Sequence, residues 1–288
     1  MIQSLPLPPA ALRAQIASHL PWAQFGDWTP LFGGRTNSAW QVAAQDGSQA
    51  AVLKLYRAPA QNPLFPNDPI AEANLLQHLD GCAIAPKLIA QVSGAHGHGN
   101  LYQAVPGNRW VKGVQDVAKL MQQLHAIAPP KGLRPIANGS AALLAQADAI
   151  VDKCQHTDRL RVHRPAVTVA PNSHQVLLHC DIVPGNLISN GQGLHLIDWQ
   201  CPGVGDPCED LAIFLSPAMQ ILYRGTALSA AETVNFLQEF PEDSSIRYRM
   251  LSPCYHYRMA AYCLWQSQNN RPDYAEGYAA ELAQLTAL

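Results

Sequence analysis

Charge is scarce in this 288-residue chain: only 14% of residues are Asp, Glu, Lys or Arg, and their formal sum is −2. No basic surface is implied, so neither nucleic acid nor an anionic membrane is an expected partner. No uninterrupted apolar run approaches the ~18 residues of a membrane-spanning helix. The opening MIQSLPLPPAALRAQIASHL lacks a basic start followed by a long apolar stretch. A secretory signal is therefore not expected, and the cytoplasm is the expected compartment. C-x-x-C is absent, and the cysteines (82, 154, 180, 201, 208, 254 and 263) are odd in number. That pattern argues against a disulfide framework or a zinc site and for free thiols. Cys201 and Cys208 stand closest, but no histidine or second cysteine pair nearby completes a tetrahedral set. Neither G-x-G-x-x-G nor G-x-x-x-x-G-K-[ST] occurs, which excludes a Walker-type phosphate loop.

What is present is globular: 48% of residues are hydrophobic, enough for one large domain or two modest lobes. Residues 11–20 read as a helix. Apolar runs at 39–43 and 51–56 around Asp46-Gly47 read as a β-hairpin. The pattern over 69–79 predicts a helix, with Asp68 as cap, Pro69 at its first position and Ile70, Ala73, Leu76 and Leu79 at helical spacing. Strands near 87–92 and 101–105 follow, joined by a turn over 94–100. Beyond Pro106-Gly107 the patterns at 113–126, 140–155, 209–222, 230–239 and 246–267 are helical, and 129–135 and 165–174 are loops. A buried strand over 175–180 and a hairpin at 187–197 around Asn190-Gly191 interrupt them. The fold class is α+β: a small antiparallel sheet lobe with one main helix (1–105) and a larger, mostly helical lobe (106–288). A cleft between two such lobes is a natural ligand site.

The chemistry concentrates in His179-Cys180-Asp181-Ile182-Val183-Pro184-Gly185-Asn186 and Ile197-Asp198-Trp199. An Asp at a strand end, an Asn five residues on and a second Asp beyond a hairpin form a recognisable set. It supplies one carboxylate for a hydroxyl and two oxygen ligands for Mg²⁺, the parts that phosphoryl transfer from ATP requires. On that reading Asp181 takes or orients the substrate proton, and Asn186 and Asp198 hold metal. The bland alternative is a capped turn with a buried ion pair. His179 shares its strand face with Asp181 and is assigned to bonding the loop backbone. Lys54, inside Val52-Leu53-Lys54-Leu55-Tyr56, is either an edge lysine snorkelling to water or a phosphate anchor. Glu72, the only carboxylate between Pro69 and Leu79, supplies the partner that an anchor needs. Gly33 and Gly34 precede Lys54 where small residues let backbone N–H groups approach phosphates; an ordinary turn is the competing reading. Downstream, Asp206 or Glu209 can cap the next helix, and Asp210 is expected to brace the catalytic loop from beneath. His96 and His98 read as solvated turn residues.

At these positions the chain resembles the aminoglycoside phosphotransferase and choline kinase superfamily, of protein-kinase-like fold. Its H-x-D-x-x-x-x-N signature stands as His179, Asp181 and Asn186, followed by Ile197-Asp198-Trp199. Gly33-Gly34-Arg35-Thr36-Asn37 is similar to the G-G-x-T-N opening of choline and ethanolamine kinases. Gly205-Asp206-Pro207 with Asp210-Leu211-Ala212 looks like the G-D-P-x-x-D-L-A run of bacterial and thiamine-kinase-like members. The resemblance spans about 28 to 270. It implies ATP bound near Gln103–Val105, Mg²⁺ ions, and transfer to a small-molecule hydroxyl. Cys180 stands where the family often has Gly, and Ile182-Val183 where Leu-His or Leu-Gln is frequent. Trp199 in place of Phe-Gly, and the lack of A-P-E, argue against a protein kinase.

Residues 205–288 hold 11 of the 21 aromatics, among them Tyr255, Tyr257, Tyr262 and Trp265. Exposed rings would suit choline or thiamine through cation–π contact; buried ones are helix core. Glu239, Glu242, Asp243, Asp273 and Glu276 would suit an aminoglycoside or form a solvated face. Besides the kinase, two other classes stand: a non-catalytic nucleotide-binding module, and a metal-dependent hydrolase short of ligands.

Overall fold

An Asp-Gly turn and alternating apolar residues organise the first sheet. The structure, a computed structural model, describes residues 6–31, 37–56 and 62–287. It divides into two units. The first runs to Gly107 and also takes in His195–Cys201; the second comprises Asn108–Leu194 and Pro202–Leu288.

In the first unit, helix α1 (Ala10–His19) is followed by β1 (Asp27–Leu31), β2 (Ser38–Ala43), β3 (Ala50–Leu55), α2 (Pro69–His78), β4 (Leu88–Gly94) and β5 (Gly97–Gln103). The strands form an antiparallel sheet of order β1-β2-β3-β5-β4. The expected hairpin is present. Ala43 pairs with Ala50, and Asp46 closes the turn by accepting the Ser48 N–H at 3.0 Å. Leu12 and Ile16 of α1 pack with Trp40, Val42, Ala51, Leu53, Val92 and Leu101 of the sheet. Strand β1 was not foreseen. It lies on the edge, where Pro30 costs no ladder bond, and its half-buried side chains give a weak pattern. The turn expected over 94–100 is shorter, because β5 already starts at Gly97. Gly99 there is a strand residue under pressure: a Cβ would lie 3.0 Å from the Lys54 carbonyl oxygen. Helix α2 starts as its sequence dictates. Asp68 Oδ1 accepts the N–H groups of Ile70 and Ala71 at 2.9 and 3.0 Å, and Pro69 fills the first turn.

The second unit contains β6 (Asn108–Arg109), α3 (Val114–His125), β7 (Arg134–Pro135), α4 (Ser140–Val151), α5 (Asp158–Arg161) and β8 (Val176–Leu178). A 3₁₀ turn at Pro184–Asn186 then leads into β9 (Leu187–Asn190), β10 (Gly193–Leu196) and β11 (Gly203–Gly205). Helices α6 (Cys208–Leu215), α7 (Pro217–Arg224), α8 (Ala230–Gln238), α9 (Glu242–Gln268) and α10 (Ala275–Thr286) complete it. Two small sheets hold its polar segments: β6 on β9, and β8 on β11, with Gly203 and Gly205 letting Ile136 close in. The helix expected over 209–222 is two helices. Pro217 removes an interior donor and starts α7, while Ser216 caps it by accepting the Met219 N–H at 3.2 Å. Helix α10 was not foreseen; its alanine-rich sequence carries little periodic signal. Gly277 lets it reach Ala218, and its buried Glu281 bonds Ser216 and the Ala218 N–H and lies 2.6 Å from His256. The α+β class expected from sequence is therefore the one found. No helix among the described residues is long and apolar enough to cross a membrane.

Candidate active site

Lys54 sits mid-strand in β3, paired across the sheet with Ala39 and Asn100, and only 4% of its surface is exposed. Its ammonium bonds Glu72 Oε2 at 2.7 Å and also the Asp198 carboxylate. The snorkelling alternative is thereby excluded for Lys54. Tyr56, which sequence reasoning passed over, closes the cluster: its hydroxyl donates to Glu72, and its ring centroid lies 4.9 Å from the Lys54 nitrogen. Asn100 Nδ2 donates to the Tyr56 oxygen and to the Pro69 carbonyl, both at 3.0 Å, and the Trp199 backbone bonds Glu72.

One ammonium between two carboxylates leaves a formal charge of −1, with Lys54 and Glu72 buried and Asp198 27% exposed. Burial pushes the Glu72 carboxyl up to about 7, Lys54 pulls against that shift, and Asp198 adds to it. Burial alone would lower the Lys54 pKa; the charges of Asp198 and Glu72 outweigh it and raise it. Because Glu72 binds its proton more tightly folded than unfolded, the stability it contributes is full below its ordinary 4.5 and is lost as pH rises through about 7. The difference in melting temperature between wild type and Glu72→Gln, without nucleotide, should therefore shift in favour of the variant between pH 5 and pH 8. A differential scanning fluorimetry series checks this.

In the second unit, Asp181 and Asn186 bracket the 3₁₀ turn. Asn186 Nδ2 donates to the Asp181 backbone oxygen at 3.0 Å and to its Oδ2 at 3.1 Å. That commits the amide nitrogen and leaves the Asn186 oxygen, the atom a hard cation takes. His179 is fully buried, and its Nδ1 accepts the Asp181 N–H at 3.2 Å, the backbone role expected of it. Asp210 also does what its position suggested. Its buried carboxylate accepts the N–H groups of His179 at 3.2 Å and Cys180 at 2.8 Å, with His125 Nε2 at 3.1 Å. His125, at the end of α3, gave no cue in sequence. Gly185 lets α7 approach, since a Cβ there would fall 2.7 Å from the Tyr223 ring.

Between these clamps Cys180 adopts φ 60°, a left-handed conformation that costs about 1–2 kcal/mol for a residue with a Cβ. Its thiol is buried and held protonated, because burial pushes its pKa well up. Glycine in a core normally costs more than alanine. Here the order should invert, with Cys180→Gly more stable than Cys180→Ala by about 1 kcal/mol in urea denaturation. Asp198 shares the strained conformation, at φ 65°.

Asp206, one residue before the N-cap Pro207, accepts the Cys208 N–H at 3.0 Å and pairs with Arg247 at 2.7 Å. Glu209 pairs instead with buried Arg258 at 2.7 Å. Gln103 is exposed, and its N–H and that of Ala104 bond Lys87 and Ala50 within the sheet. Gly33 and Gly34 lie outside the described residues. His96 and His98 are exposed. Among the described residues no three His, Cys, Asp or Glu side chains gather into a metal centre, Cys201 and Cys208 included. A cation held by Asp198 or Asn186 would need oxygens from a ligand, the habit of Mg²⁺ with nucleotide phosphates.

The buried Lys–Glu pair with its adjoining Asp lies in the first unit, and the Asp–Asn loop braced by Asp210 in the second. The chain belongs to the phosphotransferase enzyme family, whose sequence profile matches residues 27–243. No curated protein matches it significantly in sequence. Among solved structures it is similar to a choline/ethanolamine kinase family protein from Mesorhizobium loti (14% identity, 96% of this chain and 93% of that one, TM-score 0.65). It is also similar to choline kinase from Cryptosporidium parvum (13%, 96% and 94%, 0.65). A third is a thermostable mutant of aminoglycoside phosphotransferase APH(4)-Ia in complex with AMP-PNP and hygromycin B (16%, 96% and 99%, 0.61). These likenesses bear out the protein-kinase-like fold.

Proposed function

We propose that the protein transfers the γ-phosphate of ATP to the hydroxyl of a small molecule, with an amino alcohol such as choline or ethanolamine, or thiamine, as acceptor. The observation that carries this reading is Lys54, buried and charged between Glu72 and Asp198. An ammonium so placed anchors phosphate while its own position is fixed by two carboxylates. Asn186 and Asp198 would hold Mg²⁺, which when bound neutralises charge developing on the phosphates. Asp181 orients the acceptor hydroxyl and takes its proton, and Asp210 and His179 keep Asp181 in place. Gly33 and Gly34 stand as proposed backbone donors to phosphate. Gln103 and Val105 stand as the base-binding positions, and Val105 is the first whose N–H the sheet does not take.

The amino-alcohol proposal draws on the likeness to choline and ethanolamine kinases, not on the C-terminal rings. Tyr255, Tyr257 and Tyr262 are buried in α9, and the Arg258 guanidinium already lies 5.2 Å from the Tyr255 ring centroid. An aminoglycoside remains the second reading, favoured by the exposure of Glu242, Asp243, Asp273 and Glu276. Labelled ATP and Mg²⁺ with choline, ethanolamine, thiamine and hygromycin B in parallel test the proposal. Transfer to one acceptor supports it. Tight ATP binding with no transfer to any of them would leave a nucleotide-binding module.

A further inference from the structure

Three carboxamides in the first unit form a network that the phosphotransfer reading does not use. Asn37 precedes β2, Asn67 precedes Asp68, the cap of the helix carrying Glu72, and Gln200 stands two residues after Asp198. Asn37 Nδ2 donates to Asn67 Oδ1 and to Gln200 Oε1, both at 2.9 Å, and Asn67 Nδ2 returns a bond to Asn37 Oδ1 at 2.8 Å. The Gln200 backbone oxygen accepts the Asp68 N–H at 3.1 Å, and the residue is nearly buried.

The segment His195–Cys201 is thus pinned on both sides of Asp198. Upstream, His195 Nδ1 lies 2.6 Å from the Ala83 carbonyl oxygen, and the Leu196 N–H reaches Ile84 at 2.7 Å. Downstream, the Trp199 backbone bonds Glu72 and Gln200 adds its side-chain and backbone bonds. Between them Asp198 keeps its left-handed backbone, which persists only where the flanks over-determine it. A looser downstream flank would let Asp198 relax toward negative φ and turn its carboxylate from Lys54. Both protons of the Asn37 amide are engaged, so this one side chain joins the approach to α2 to the segment bearing Asp198.

We propose that Asn37, Asn67 and Gln200 act as one positioning clasp that fixes the Asp198 carboxylate for the divalent cation accompanying the nucleotide. This rests on the reading that Asp198 holds that cation. None of the three touches the reacting atoms; they act through Asp198. Two unrelated surface amides would respond to substitution independently, whereas a clasp responds as a unit.

The test is Mn²⁺ binding in the presence of ADP, followed by electron paramagnetic resonance on the full chain without acceptor. Asp198→Asn should abolish ADP-dependent Mn²⁺ binding; if Mn²⁺ still binds, the functional reading falls and the clasp with it. Gln200→Met and Asn37→Ala should each weaken Mn²⁺ binding about tenfold, and the double variant no more than either. ADP affinity in EDTA should stay unchanged, which a general loss of structure would not allow. Gln200→Glu keeps the acceptor oxygen and should restore binding, and Asn67→Ala gives a milder second probe at a part-buried position. If Asp198→Asn abolishes binding while Gln200→Met, Asn37→Ala and Asn67→Ala stay within twofold of wild type, the clasp does not position the metal ligand.

Discussion

Asp181→Asn should lower phosphotransfer by about 10²–10⁴-fold while the protein folds and binds nucleotide as before. Asparagine is nearly isosteric, and its amide oxygen can still accept the Asn186 bond that Asp181 Oδ2 accepts at 3.1 Å. The Asp181 backbone bonds, from its N–H to His179 Nδ1 at 3.2 Å and from the Val183 N–H to its carbonyl oxygen at 3.0 Å, do not depend on the side chain. What is lost is the ability to take a proton. The expected pattern is a collapse of kcat, little change in KM for ATP, and a melting temperature close to wild type. A fall in kcat of less than tenfold would remove Asp181 from the proton-transfer step. A large loss of stability would instead make it a loop brace, the role the structure gives Asp210.

The Asp181–Asn186 loop was legible because its pattern is local. His179, Asp181 and Asn186 fall within eight residues, and a strand followed by Pro-Gly leaves few conformations. The Lys54–Glu72 pair was legible for another reason: a lysine inside an apolar strand needs a partner, and one carboxylate was available on the next helix. What stayed hidden depends on tertiary packing. Tyr56 reads as one more apolar strand residue until its hydroxyl is found on Glu72. His125 and Asp210 are far apart in sequence, and nothing local marks them as partners. The edge strand β1 and helix α10 carry weak periodic signals, and their contacts in the fold decide them. The helix break at Ser216-Pro217 was readable, since proline there cannot continue the ladder of α6. Glycine misled at Gly99, where close approach to the Lys54 backbone, not a turn, explains its presence; Gly97, at φ 99°, does follow the turn.

Lys54→Met should abolish activity and also destabilise the fold by roughly 3–5 kcal/mol, the usual consequence of orphaning a buried charge. Glu72 is 1% exposed and would keep only its bonds from Tyr56 and the Trp199 backbone, with Asp198 as a like-charged neighbour. Its carboxyl already titrates near 7 with Lys54 present, so without the ammonium it should take up a proton at still higher pH. The destabilisation should consequently be smaller at pH 6, where protonation relieves the orphaned charge, than at pH 8. Lys54→Met/Glu72→Gln removes both charges and leaves a neutral amide able to meet Tyr56. Its stability should recover by more than half, measured by urea denaturation at pH 8, while activity stays absent. Recovery of that kind means the buried pair contributes little net stability, and that its place in the core reflects the chemistry it performs. Failure to recover would mean that Lys54 and Glu72 support the sheet and α2 in their own right. The same double variant, assayed for nucleotide binding, should also show weakened affinity, because the methionine offers no charge to phosphate.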